Sequence, residues 1–277
     1  MTVYIQSRGI PQDKDYQWLK VESEELVPEI PEALRSSFET TNGETITLTN
    51  LIDSQKQSLV LARNKRGKLF LLITGLKAKE ERIDFMERSI RNSIVWICDE
   101  NSESEKLLRG LTIQALRDIG KFEHDIDEAI SNDDKYGFKV SQQNIKNIEE
   151  DAQELIQASN QTANYEGLIG NKNSLELLSE LSMELESNCL PDNYSLLIVV
   201  TTFKSKDALE KARIWRSLSS RVDGNQWSPI PQATGTADPS NWMSNLKKDL
   251  LGRIPPLIAA ILLVIVVLIL VKIMLLN

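Results

Sequence analysis

Ser58-Leu-Val-Leu-Ala-Arg63 and Lys68-Leu-Phe-Leu-Leu-Ile-Thr74, separated by Asn64-Lys-Arg-Gly67, decide the fold class. Both flanks are apolar runs of strand length, and Gly67 can take the positive φ that a tight reversal needs. The pattern predicts a β-hairpin. Upstream, Thr2–Gln6 alternates, and Tyr16–Val21 is placed to pair with it across a Gly9–Asp15 turn. Glu44–Thr49 alternates with threonines, and Pro31–Ser37 reads as a short helix between strands. Downstream, Ser93–Cys98 is another apolar strand.

The pattern then changes period. Ser102 with Glu105 forms a capping box before Leu108, Leu111, Ala115, Ile119, Phe122, Ile126 and Ile130, which recur at helical spacing. Gly110 and Gly120 are the positions where this run is expected to bend or break. Ser141 opens a second helix with Ile145, Ile148, Ala152 and Leu155 on one face. A third, after Asn173, aligns Leu175, Leu178, Leu181 and Leu185. Tyr194–Thr201 is a strand of the fully buried type, and Ser205–Leu218 reads as a closing helix with Leu209, Ala212 and Trp215 inward. The expected class is α+β: an N-terminal strand-rich sheet, central helices, then a late buried strand and helix. It becomes mixed α/β if the late strand enters the early sheet in parallel.

The tail has a different character. Ile254–Val271 is 18 residues without a charged or polar side chain, and Ile-Met-Leu-Leu follows Lys272. At 1.5 Å per residue, residues 257–276 span about 30 Å as a helix, the thickness of a hydrocarbon core. Pro255-Pro256 suit a first helical turn. Lys272 lies close enough to the end to snorkel to the far interface. The sequence therefore divides into a soluble α+β cytosolic domain (1–221), a Pro/Gly/Ser linker (222–239), a juxtamembrane amphipathic segment (240–253) and a transmembrane helix (254–276). In the juxtamembrane segment Trp242, Met243, Leu246 and Leu250 recur at helical spacing beside Lys247 and Lys248, which suits the headgroup layer. No signal peptide is read at the N-terminus. With Lys247, Lys248 and Arg253 ahead of the span, the positive-inside rule puts the N-terminal domain in the cytoplasm, giving a single-pass, tail-anchored protein.

Charge narrows the partners. The formal net charge is −8, and residues 222–277 carry four basic against three acidic side chains, so −9 falls on residues 1–221. An acidic head disfavours nucleic acid, whose phosphates are held by concentrated Lys and Arg. The expected partners are the lipid bilayer, a protein or small anionic ligand, and further copies of the chain.

Motifs for catalysis are scarce. Cys98 and His124 are the weak candidates for a nucleophile and base, although nothing around Cys98 resembles an oxyanion hole. One histidine and two distant cysteines exclude the usual zinc sets, and no glycine-rich nucleotide cradle occurs, so no metal or cofactor is expected. The acidic Asp125, Asp127 and Glu128 and the Asp133-Asp134 pair lack the ligand spacing of a calcium loop. The most suggestive cluster is Arg82, Asp84, Arg88, Arg91 and Asn92, between two apolar strands, because guanidinium forks suit carboxylate or phosphate ligands. A second basic stretch, Lys204, Lys206, Lys211, Arg213 and Arg216, follows the late strand. The leading expectation is a membrane-tethered signalling or interaction module that binds a ligand or partner. The alternatives are a membrane effector that oligomerises and perturbs the bilayer, and an anchored cysteine hydrolase.

Overall fold

The computed structural model describes residues 1–22, 26–156, 161–162 and 164–230. In chain order the strands β1 (Thr2–Ser7), β2 (Gln17–Val21) and β3 (Leu26–Pro28) come first. A 3-10 turn (Glu32–Arg35), β4 (Ser37–Glu39), β5 (Thr45–Thr47) and a second 3-10 turn (Leu48–Asn50) follow. Next come β6 (Ser58–Arg63), β7 (Lys68–Lys77), β8 (Arg91–Asp99), α1 (Ser102–Arg117) and α2 (Ile119–Glu128). β9 (Ile130–Asp133), β10 (Gly137–Val140), α3 (Gln142–Glu154), β11 (Gln161–Thr162) and β12 (Leu168–Asn171) lead to α4 (Leu175–Ser187) and β13 (Asn188–Cys189). β14 (Leu196–Ser205), α5 (Lys206–Lys211), β15 (Ile214–Arg221) and β16 (Ser228–Pro229) close the described chain.

The described residues build a mixed α+β fold around one ten-stranded sheet, in the order β16-β12-β15-β14-β6-β7-β8-β1-β2-β3. The hairpin read from residues 58–74 is at its centre, with Ser58 opposite Thr74 and Arg63 opposite Leu69. Gly67 adopts φ 71° at its turn. β1 pairs with both β2 and β8 in antiparallel register. The late strand enters antiparallel to β6 and carries a parallel block of β14, β15 and β12 beyond it. Early and late halves of the chain thus share one sheet.

Both faces are covered, which is why β7 is a nearly continuous apolar run. α1, α3 and α4, with the apolar side of α2, pack on one face over Leu71, Trp96 and Ile198. The β4–β5 hairpin, the 3-10 turns and Leu209 of α5 cover Phe70, Val95 and Val199 on the other. α1 and α3 approach at Gly110, where a Cβ would sit 2.0 Å from the Ala152 carbonyl oxygen. The outermost strands are short, and each ends in a proline, Pro28 in β3 and Pro229 in β16.

Several expectations need correction. The long helical run does not break at Gly110 or Gly120. It breaks at Asp118, which ends α1 and caps α2 by accepting from the Lys121 N–H at 2.9 Å. Ile130 lies beyond α2 in the β9–β10 hairpin, where Val140 pairs with it. Leu175, expected on the buried face, is 82% exposed in the first turn of α4, and Leu177, Leu181 and Leu185 make the contact instead. Residues 205–218 are not one helix. α5 stops at Lys211, Arg213 turns the chain with φ 52°, and Trp215 is buried in β15. A β-rich Ile-Trp-Arg-Ser-Leu segment beside the buried β14 gains more from strand pairing than from continuing a helix.

The fold also runs past Arg221, into the stretch read as linker. Val222 and Ile230 are buried, β16 pairs with β12, and the Ile230 N–H donates to the Gly167 carbonyl at 2.8 Å. The expected linker residues after Ile230, the juxtamembrane segment (with Trp242, Lys247, Lys248 and Arg253) and the span with Lys272 lie outside the described residues. Among the described residues no helix is long and apolar enough to cross a membrane.

Candidate functional site

The loop from β7 to β8 holds the arginine cluster, and Asp84 organises it. One carboxylate oxygen accepts from the Met86 and Arg88 N–H groups at 2.8 and 2.9 Å, closing a small hairpin in which Ile83 bridges Ser89. The other accepts from Arg88 Nε at 2.8 Å and from Arg8 Nη1 at 3.1 Å. The Arg88 hydrogen bond holds the Asp84 carboxyl down at about 2, against the opposing effect of burial. Arg82 turns the other way. Its Nη1 donates to Asp127 at 2.7 Å and its Nη2 to Ser7 Oγ at 3.0 Å. Asn92 bridges the halves: Nδ2 donates to Asp127 at 3.2 Å and Oδ1 accepts from Ser7 Oγ at 2.7 Å. The Arg8 guanidinium lies over the rings of both Tyr16 and Phe85, 5.6 and 5.4 Å from their centroids.

Four of the five residues predicted as an anion site therefore meet: Arg82, Asp84, Arg88 and Asn92. Arg91 does not join them. Its N–H donates to Tyr16 Oη at 2.9 Å and its Nη1 reaches the Gly75 carbonyl at 3.4 Å. Ser7, Arg8 and Asp127 were not legible as members, because they come from the end of β1, the residue after it and α2, far away in sequence. The chemistry differs from the expected one. The arginine forks already hold Asp84 and Asp127, so an external anion would compete with carboxylates buried beside them. This is a clamp that ties β1, β8 and the loop between β7 and β8 to α2.

Cys98 and His124 are not brought together. Cys98 pairs with Leu69, whereas Glu123 accepts from the Lys77 N–H, eight residues along β7 and about 26 Å away. Cys98 is buried in the helix-side core, which pushes its thiol pKa up, while the His124 side chain is 60% exposed. The second basic stretch is also dispersed. Arg216 is buried and forked onto Glu184 at 2.7 and 2.5 Å, leaving α5 and its flanks to carry the other members.

A cleft that the sequence did not single out opens at the carboxyl end of β12, beside the middle of β14. In open α/β sheets, ligands enter the crevice outside the carboxyl ends of parallel strands. Val200 of β14, Leu59 of β6 and Ile73 of β7 form its floor, Leu116 and Ile119 the wall at the α1–α2 junction, and Leu178 of α4 the opposite side. The volume is about 80 Å³. Lys172, one residue beyond β12, stands at this apolar site. Its Nζ donates to the Gln57 carbonyl at 2.7 Å, and among the described residues no carboxylate lies within ion-pairing distance. Burial lowers its pKa to about 8. The only available signal was a lysine between a short strand and the Ser174 cap of α4, and β12 itself, four residues with Gly170 inside, is too weak a pattern to read.

The two places share a wall. Asp127 of α2 belongs to the clamp, Glu123 accepts from Gln57 Nε2 at 2.6 Å, and Ile119 lines the cleft. Compared with protein-family models, with curated proteins and with solved structures, the chain matches none.

Proposed function

We propose that this chain is a membrane-tethered ligand-binding module. Residues 1–230 bind a small ligand at the Lys172 cleft, and residues 254–276 hold the domain at a bilayer from its cytoplasmic side. The observation that carries the binding half is the lysine ammonium at an apolar cleft, hydrogen-bonded to a backbone carbonyl and, among the described residues, without a carboxylate partner. A half-buried cation of this kind costs stability, and such a group is a candidate binding site where a ligand supplies the missing charge. The tethering half is supported by the 18-residue apolar run and the Lys247, Lys248 and Arg253 ahead of it. A binding module also suits the separation of Cys98 from His124, which leaves no nucleophile beside a base there.

The test compares the full chain with one lacking residues 254–277. The full chain is expected in the membrane fraction after carbonate extraction, the shortened one in the supernatant, with vesicles remaining tight to a trapped dye in both cases. Dye leakage that requires the span would replace this reading with a membrane effector that acts by clustering its helices.

A further inference from the structure

The Lys172 cleft says something about its occupant, and this step rests on the binding reading above. The lining is aliphatic apart from Gln57, Ser58 and Lys172. Ser58 Oγ is already committed, accepting from the Asp53 N–H at 3.1 Å and donating to the Lys56 carbonyl at 3.2 Å. The Gln57 side chain is turned onto Glu123. Lys172 is therefore the charged lining group with capacity left: an ammonium has three donors, and one is used on the Gln57 carbonyl. A neutral apolar ligand would leave that ammonium desolvated and unpaired, and a cation would repel it. A multiply charged anion such as a phosphate ester would put excess charge against Leu59, Ile73, Leu116 and Val200.

We propose that the cleft binds a compact monocarboxylate, its short aliphatic body on Leu116, Ile119, Leu178 and Val200 and its carboxylate on Lys172 Nζ. Size sets the chain length. A cavity of about 150 Å³ holds a benzene ring, so 80 Å³ admits a body of roughly three to five carbons with the head at the mouth.

The test uses the full chain in nanodiscs of zwitterionic lipid, so that no anionic headgroup competes. Amide and lysine side-chain NMR shifts are followed during titration with sodium butanoate, 1-butanol and butylamine. Butanoate is expected to give saturable shifts at Lys172, Ile119 and Val200 in the millimolar range, at least tenfold tighter than butanol, with butylamine the weakest. Lys172→Met, which keeps the aliphatic stem, should reduce butanoate to the level of butanol. Leu178→Phe, which fills the cleft from its half-buried side, should weaken both. Equal affinity for butanoate and butanol, or a preference for butanoate that survives Lys172→Met, overturns the carboxylate assignment while leaving the cleft as a binding site. Absence of saturable shifts with all three compounds overturns the binding reading as well.

Discussion

Lys172 is the residue whose electrostatics run against stability. Its pKa falls from 10.5 to about 8 through burial alone, which corresponds to a cost on the order of 3 kcal/mol when it is charged. The sign follows from proton binding: below pH 8 the folded state carries the full penalty, and between 8 and 10.5 it binds fewer protons than the unfolded chain. Stability from this group therefore rises with pH across that window. Lys172→Met removes the penalty but orphans the Gln57 carbonyl, worth about 1 kcal/mol. Urea unfolding at pH 7 should show the variant more stable by roughly 1–2 kcal/mol, and the gain should shrink by pH 10. Asp84 behaves oppositely. Its pKa of about 2 lies below the ordinary 3.8, so its stabilisation is complete above about pH 4 and is lost as pH falls toward 2. Asp84→Asn should flatten the acid limb of a stability–pH profile in that window. Cys98, buried and with a raised pKa, should react with a thiol reagent only as fast as the chain unfolds.

At the scale of elements, α2 is held by charge rather than by a broad apolar face. Its buried residues are Phe122, Ile126 and Asp127, and Asp127 accepts from Arg82, Asn92 and the Lys79 N–H. Arg82→Ala leaves Asp127 and Ser7 facing a void, and thermal or urea unfolding should register a loss of about 3 kcal/mol or more. Because α2 also supplies Ile119 to the cleft, the same variant should weaken ligand binding without touching the ligand. Gly110→Ala tests the helix side of the core. Its methyl must push α3 away at Ala152, and a loss of roughly 1–3 kcal/mol is expected from overpacking.

These elements also explain how much was legible in advance. Strands β1, β2, β6, β7 and β8, the helix opened by Ser141 and the helix after Asn173 have local signatures, alternation, a glycine turn, a capping side chain or a leucine stripe, and all are present. β15 was misread because Leu209, Ala212 and Trp215 also fit a helical stripe, and only the neighbouring β14 decides between the two. At the candidate site, Arg82, Asp84, Arg88 and Asn92 were legible because they fall within eleven residues of sequence. Their charge partners Arg8 and Asp127 and the isolated Lys172 were not, since nothing in their local sequence records what folds against them.

For the whole molecule, the boundary of the folded unit is itself a prediction. A chain ending at residue 221 lacks Ile230, Trp227 and β16, and exposes the β12 edge. It should lose about 3 kcal/mol or more relative to one ending at 230, read from melting temperature and solubility. The ends of the sheet carry a wider consequence. A proline supplies no N–H to a neighbouring chain, so at Pro28 and Pro229 the two margins of the sheet offer an incomplete template for another strand. Copies tethered as proposed above would meet in two dimensions at high local density, where unprotected sheet edges invite strand-to-strand pairing. Among the described strands, the proline-ended borders oppose that fibrous route.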